Sequence, residues 1–198
     1  NRVPPEYANL FRGAGARAAL ESHRGYDLGA LAVSRSLGRR LRLPVLHCGV
    51  TRLLVDVNRS VGHPRLFSEF SSALARLDRE AILEGHYFPH RRAVDAEVGR
   101  HIAGGRRVLH LSVHSFTPQL KGRVRTAEVG LLYDPSRKAE RDLCARWKLA
   151  LEIEVRRENS SGNLQSDWSI RRNYPYRGAS DGLTTALRRS QPDARYVG

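Results

Sequence analysis

The chain has 198 residues, 40% of them hydrophobic and 27% charged, which is enough for one compact domain with an apolar core. No apolar run approaches the roughly 20 residues that cross a bilayer as a helix, and the opening residues do not read as a secretory leader. The net charge of +14 raises a nucleic-acid partner. However, the excess is arginine scattered in pairs such as Arg39-Arg40, Arg91-Arg92 and Arg171-Arg172, which reads as a solvated surface or as attraction for an acidic small molecule.

Helical and strand-like segments alternate, which predicts an α/β domain. Residues 16–42 carry Ala19, Leu20, Leu28, Leu31, Leu37 and Leu41 near a 3.6-residue period and predict a helix that Pro44 stops. Short strands are expected at 45–50 and 53–57. Helices are expected at 66–83 and 91–103, separated by a loop over 85–89. The run RVLHLSV at 107–113 is the strongest strand, apolar enough for a buried central position. Another strand is expected at 128–133, then a helix at 136–150 running into a possible strand at 151–155. A loop at 159–163 and a short helix at 181–189, capped by Asp181, complete the pattern. No position calls for a domain boundary. Two cysteines, Cys48 and Cys144, lie far apart outside any CxxC pattern, which favours free thiols and a cytoplasmic setting.

Five clusters carry chemistry. His114 directly follows the 107–113 strand, where open α/β sheets place functional groups. It is either a zinc ligand whose other nitrogen is held by an acceptor, or a strand-end histidine satisfied by backbone. Arg52 and Asp56-Val57-Asn58-Arg59 bring a planar cation and an amide together, suited to clamping a substrate carboxylate, unless Arg59 serves only a salt bridge with Asp56. His23 and Asp27, four apart on the expected helix, are either metal ligand and partner or an exposed pair, and Gly25 and Gly29 between and beside them suggest close approach of another segment. Residues 172–178, with Asn173, Tyr174, Pro175 and Tyr176, form a loop that either lines a site or merely connects a strand to a helix. His86 and His90 have ligand spacing, but Pro89 argues against the helix such a pair needs.

In order along the chain, NRVPPEY, SHRGYDLGA, RLLVDVNR, HYFPHR, VHSFTP and RRNYPYRGASDGLT resemble the N-formylglutamate amidohydrolase family. The family in turn resembles zinc carboxypeptidases in its Asp-x-Asn-Arg clamp and His-Ser-aromatic strand end. The resemblance implies a phosphorylase/hydrolase-like single domain over 1–198, a mixed β-sheet flanked by helices, and one catalytic Zn2+. It implies hydrolysis of N-formyl-L-glutamate to formate and L-glutamate, as in histidine degradation. His114 takes the role of zinc ligand, with His23 and Asp27 as further ligands or their supports. Arg52 takes that of the catalytic residue polarising the scissile carbonyl. Asn58 and Arg59, with Asn173 and Tyr176, take that of substrate binding. The partner expected is a small N-acyl amino acid, with no nucleic acid and no membrane. Family members carry a Glu-His pair just before the segment matching Asn1-Arg2-Val3-Pro4 and a glutamate-bearing strand after that matching Tyr196-Val197-Gly198. The chain, which has no methionine, is therefore expected to be shorter than its gene product and to lack one ligand and the general base. Glu152 and Glu154 look like the base but precede the RRNYPYRG motif. Rival readings are a zinc amidohydrolase or peptidase of other specificity and a non-catalytic basic binding protein.

Overall fold

The computed structural model describes residues 2–120, 122–163, 167–191 and 195–198. Asn1, at the head of the first family-like motif, lies outside the described residues. The chain divides into two compact units, residues 1–116 with 181–196 and residues 117–180 with 197–198. Among the described residues no helix is long and apolar enough to cross a membrane.

The first unit opens with a 3-10 turn, Pro5–Phe11, and α1, Ala14–Glu21. The expected helix over 16–42 is in fact two helices. Ser22 folds back, its hydroxyl donating to the Ala19 carbonyl at 2.8 Å, and Gly25 follows so close to the Leu20 backbone that a Cβ there would collide with it. Gly29, at φ 78°, turns the chain into α2, Ala30–Leu41. His23 and Asp27 thus sit in a turn, not on one helix face. Arg42 in the left-handed region and the Leu43 N–H donating to Gly38 close α2 before Pro44 is reached.

No strands form at 45–50 or 53–57 beyond a parallel bridge between Arg2 and Val50. Leu53, Leu54 and Val55 are nevertheless buried, in a turn where Leu54 N–H donates to Thr51. A short apolar run reports burial, and its hydrogen-bonding pattern is not legible from periodicity. Likewise, the first half of the helix expected at 66–83 is turns, because the Ser68 and Ser71 hydroxyls bond the carbonyls of Leu53 and Leu54. The helix proper is α3, Arg76–Ile82. The loop expected at 85–89 is a π-helical turn, Leu83–Tyr87, running into α4, Phe88–Ala103. Pro89 falls in the first turn of α4, directly after the π-helical turn, and does not end the helix.

β1 is only Val108–Leu109. It pairs with β6, Tyr196–Val197, and Val108 N–H donates to Arg195 at 2.7 Å. Leu109 is 50% exposed, so the expected central strand is neither long nor buried here. The unit holds two cores. One joins Phe11, Leu54, Leu66, Ile82 and Tyr87. The other joins Val94 and Val98 of α4 to Leu183, Leu187 and Tyr196. Leu183 and Leu187 belong to α6, Leu183–Ser190.

In the second unit β2, Gln119–Leu120, and β3, Arg123–Val124, form an antiparallel pair. β4, Val129–Leu131, lies parallel to β5, Ile170–Arg172, and α5, Lys138–Ser160, makes the crossover. Cys144 is buried beside Leu131, Tyr133 and Ile170, with Trp147, Leu151 and Val155 packed against them. Residues 144, 147, 151 and 155 repeat at helical spacing, and this apolar stripe overrides the alternating Leu-Glu-Ile-Glu-Val that suggested a strand. Glu152 pairs with Lys148 and Glu154 with Arg157 along that helix, as ordinary ion pairs. The chain is a mixed α/β protein in which the described strands make three two-stranded sheets, in place of the single sheet expected.

Candidate active site

The site is built in the first unit from three segments. The Ser22–Gly29 turn is docked onto residues 51 and 52 by two bonds to the Gly25 carbonyl, from the Thr51 hydroxyl at 3.0 Å and the Arg52 N–H at 3.3 Å. Gly25 lets the turn lie against the Leu20 backbone on its way to this contact, where a Cβ would collide. The docking sets Asp27 between Arg52 and His114. Asp27 Oδ1 accepts from Arg52 Nη1 at 2.9 Å, and Oδ2 lies 2.6 Å from His114 Nδ1. Burial by itself pushes the Asp27 carboxyl up, but the His114 hydrogen bond and the charges of His114, Arg52 and His23 outweigh it and hold the group below its ordinary value. An ionised carboxylate only accepts, so the proton between the pair sits on His114 Nδ1. The other ring nitrogen, Nε2, faces the Ser112 hydroxyl at 3.1 Å.

Arg52 extends the chain of contacts. Its Nη2 donates to Asp56 Oδ2 at 2.9 Å, and Asp56 Oδ1 accepts the Asn58 N–H at 3.0 Å. Arg59 Nε lies 3.9 Å from Asp56 Oδ2, beyond hydrogen-bond reach, and is a buried donor without a hydrogen-bond partner. Its Nη1 reaches the Asp181 carbonyl at 3.2 Å, and its own carbonyl accepts from the Tyr87 hydroxyl at 2.6 Å. The Asn58 side-chain oxygen accepts the Leu183 N–H at 2.8 Å, which fixes the orientation of the amide and leaves its NH2 group as the end for a ligand. The first N–H of α6 is therefore capped by Asn58. The expected cap, Asp181, turns instead to Ser60.

These groups stand on a cavity of about 450 Å³ whose polar wall includes Asp27, Arg52, Asp56, Asn58, His110 and His114. Its volume lies in the range of small-molecule sites. Arg59 stands outside that wall, and so does His23, which is exposed and bears on Asp27 through charge. His86 lies 3.7 Å from Glu6 and edge-on to Tyr7, whereas His90 lines the cavity, so they form no ligand pair. In the second unit, Asn173 adopts φ 49° and its side-chain oxygen accepts from the N–H groups of Tyr133 and Gly178, shaping its own loop. The Tyr176 hydroxyl accepts from Arg125 at 2.9 Å, and the Arg125 guanidinium stacks over its ring.

His110 is a site residue that sequence reasoning missed. Its Nδ1 lies 2.9 Å from the Tyr196 hydroxyl. Burial, with the charges of Arg188, His114 and His90, pushes its pKa down to about 4. The available signal was the spacing of positions 110, 112 and 114, which share a face in an extended chain. Asp56 was expected only as a salt-bridge partner of Arg59 and Asp181 only as a helix cap, whereas Asp56 also holds Arg52 and the Asn58 N–H, and Asp181 holds Ser60.

Zinc requires three protein ligands and an open position. Among the described residues no three His, Cys, Asp or Glu side chains gather to hold a metal. Both oxygens of Asp27 are engaged, so the residues present fit one ligand, His114 Nε2, with Asp27 as its orienting carboxylate.

The fold and this constellation define a mixed α/β protein with an acid–imidazole–guanidinium site on the wall of a small-molecule cavity. The sequence matches N-formylglutamate amidohydrolase over residues 1–197, and the chain belongs to that family. A solved structure, that of gene product Atu2144 from Agrobacterium tumefaciens, is similar at a TM-score of 0.74 and 30% identity, covering 97% of this chain and 72% of that one. No curated protein matches.

Proposed function

We propose that the protein hydrolyses N-formyl-L-glutamate to formate and L-glutamate, or a close N-acyl amino acid to its carboxylic acid and free amino acid. The observation that carries this reading is Asp27, which holds His114 and Arg52 at once and so joins three of the family-like motifs at one point. In this reading His114 Nε2 is one ligand of a zinc ion. When bound, zinc supplies a Lewis acid and a water that ionises near neutral pH.

The chain's own residues do the rest. Asp27 fixes the tautomer and direction of His114. Arg52, oriented by Asp27 and Asp56, presents positive charge to the oxygen of the scissile carbonyl, where one such donor can be worth roughly 3 kcal/mol. The Asn58 amide, on the cavity wall, and the guanidinium of Arg59, next to it in the chain, hold the amino-acid carboxylate. Holding the substrate at that end fixes where its acyl carbon lies. Both cysteines carry free thiols, in keeping with a cytoplasmic setting.

The test is formate release from N-formyl-L-glutamate by the zinc-loaded gene product, with and without a chelator. Chelator-sensitive release supports the reading. Bound zinc without release moves the substrate to another N-acyl amino acid, and absence of both sinks it.

A further inference from the structure

The turn that presents Asn58 and Arg59 has no sheet to hold it. Within the turn, Asp56 accepts the Asn58 N–H with its side chain and the Arg59 N–H with its carbonyl. Outside the turn, the Tyr87 hydroxyl holds the Arg59 carbonyl and Arg91 the Val57 carbonyl, and residues 181–183 reach all three of Asn58, Arg59 and Ser60. Asp181 Oδ2 accepts the Ser60 N–H at 3.0 Å and Oδ1 the Ser60 hydroxyl at 2.5 Å, so both carboxylate oxygens close on one residue. The Asp181 carbonyl takes Arg59 Nη1, and the Leu183 N–H takes the Asn58 oxygen. Gly182 lies against this contact, where a Cβ would stand 3.0 Å from Asn58 Oδ1. Three consecutive residues, Asn58, Arg59 and Ser60, are thus each pinned by the same short segment more than 120 positions later in the chain.

From this we infer that Asp181 is a positioning residue for the carboxylate clamp: by holding Ser60 and Arg59 it sets where the Asn58 amide and the Arg59 guanidinium meet an anionic substrate. This rests on the reading of Asn58 and Arg59 as a clamp. Asp181 needs no contact with the substrate, and its effect passes through the geometry of the turn. Burial pushes its carboxyl up, but the two Ser60 hydrogen bonds and the nearby His63 and Arg59 hold it ionised below its ordinary range, as an acceptor for two donors must be.

The experiment compares the unaltered protein with Asp181→Ala, Asp181→Asn and Ser60→Ala. It measures Kd for L-glutamate by calorimetry and kcat and KM for N-formyl-L-glutamate and for an N-formyl amine lacking the carboxylate. Asp181→Ala should weaken glutamate binding and raise KM for the formylated amino acid by about tenfold, the order expected for one or two lost hydrogen bonds. Its kcat should stay within about threefold, and the carboxylate-free substrate should be indifferent. Asp181→Asn keeps an acceptor for the Ser60 N–H and should recover part of the loss, which also covers the case in which the alanine variant fails to fold. Ser60→Ala should fall between. Unchanged glutamate affinity in Asp181→Asn and Asp181→Ala, or an equal KM rise for both substrates, overturns the assignment. Tenfold weaker glutamate binding without any turnover by the unaltered protein keeps the assignment and defeats the hydrolase reading. No glutamate binding by the unaltered protein defeats the clamp and this inference with it.

Discussion

The two halves of the site are held in opposite ways. The Arg52–Ser60 segment is cross-linked from several directions: Asp27, Tyr87, Asp181 and Leu183 each hydrogen-bond to it, and Arg91 adds a bond to the Val57 carbonyl at 3.1 Å. The 107–114 segment leaves its last strand pair at Leu109, and His114 is more exposed than Asp27, with Asp27 and Ser112 as its side-chain contacts. The difference teaches where tolerance lies. Loss of one contact in the first half leaves several others in place, whereas the imidazole is aimed by a single carboxylate.

The largest effect should come from His114→Ala. In the zinc reading it removes a ligand, so bound metal measured by elemental analysis and formate release should vanish together, a loss of at least about a thousandfold in turnover. A metal-free variant with full activity would break the comparison at once. Next comes Asp27→Ala, which cuts both the His114 and the Arg52 contacts. Removal of such a supporting carboxylate typically costs 10- to 100-fold in metal affinity or activity, read by chelator titration and kcat. Asp27→Asn should be milder for Arg52 than for His114, because an amide still accepts one hydrogen bond but carries no charge. Arg59→Ala should be smaller in turnover and appear mainly in KM, by tens-fold, as loss of binding shared by ground and transition states. Equal falls in kcat and kcat/KM would place Arg59 in the chemical step instead.

Much of this site was legible in the sequence as chemistry and little of it as geometry. His114, Arg52, Asn58 and Asp27 stand out by residue type and order, and the structure brings these four to one cavity wall. Their supports do not stand out. The contact between His23 and Asp27 was expected from helical spacing, but Gly25 and the Ser22 hydroxyl break the helix, so Asp27 points to a histidine 87 positions away. The Asp181 cap fails for a similar reason: the N-cap rule considers local donors, and Ser60, 121 positions away in sequence, offers two. In the second unit, residues 151–155 show the contest between periods directly. Alternation over five residues suggested a strand, and the longer apolar stripe from Cys144 to Val155 decided for helix. The short strands expected at 45–50 and 53–57 do not form, since burial and strand pairing are separate properties that a short apolar run does not distinguish.

The smallest effect sharpens the comparison from the weakly held side. His110 precedes His114 by four residues and its pKa is pushed down to about 4, chiefly by burial and then by Arg188, His114 and His90. A free histidine titrates near 6.5. Between about pH 6.5 and 4 the unfolded chain therefore binds a proton at this position that the folded chain refuses. Its contribution to stability is fully present above about 6.5 and is lost as pH falls towards about 4. His110→Gln keeps a side-chain partner for the Tyr196 hydroxyl but does not titrate. Urea midpoints measured from pH 7 to 4 should fall less steeply for that variant than for the unaltered protein, while the two converge in slope above pH 7. Parallel slopes through the acid window would mean that His110 takes up its proton in the folded state as readily as in water. The 107–114 segment would then be open enough to solvate a charge at His110, and the contrast with the cross-linked clamp would be larger than the contacts alone imply.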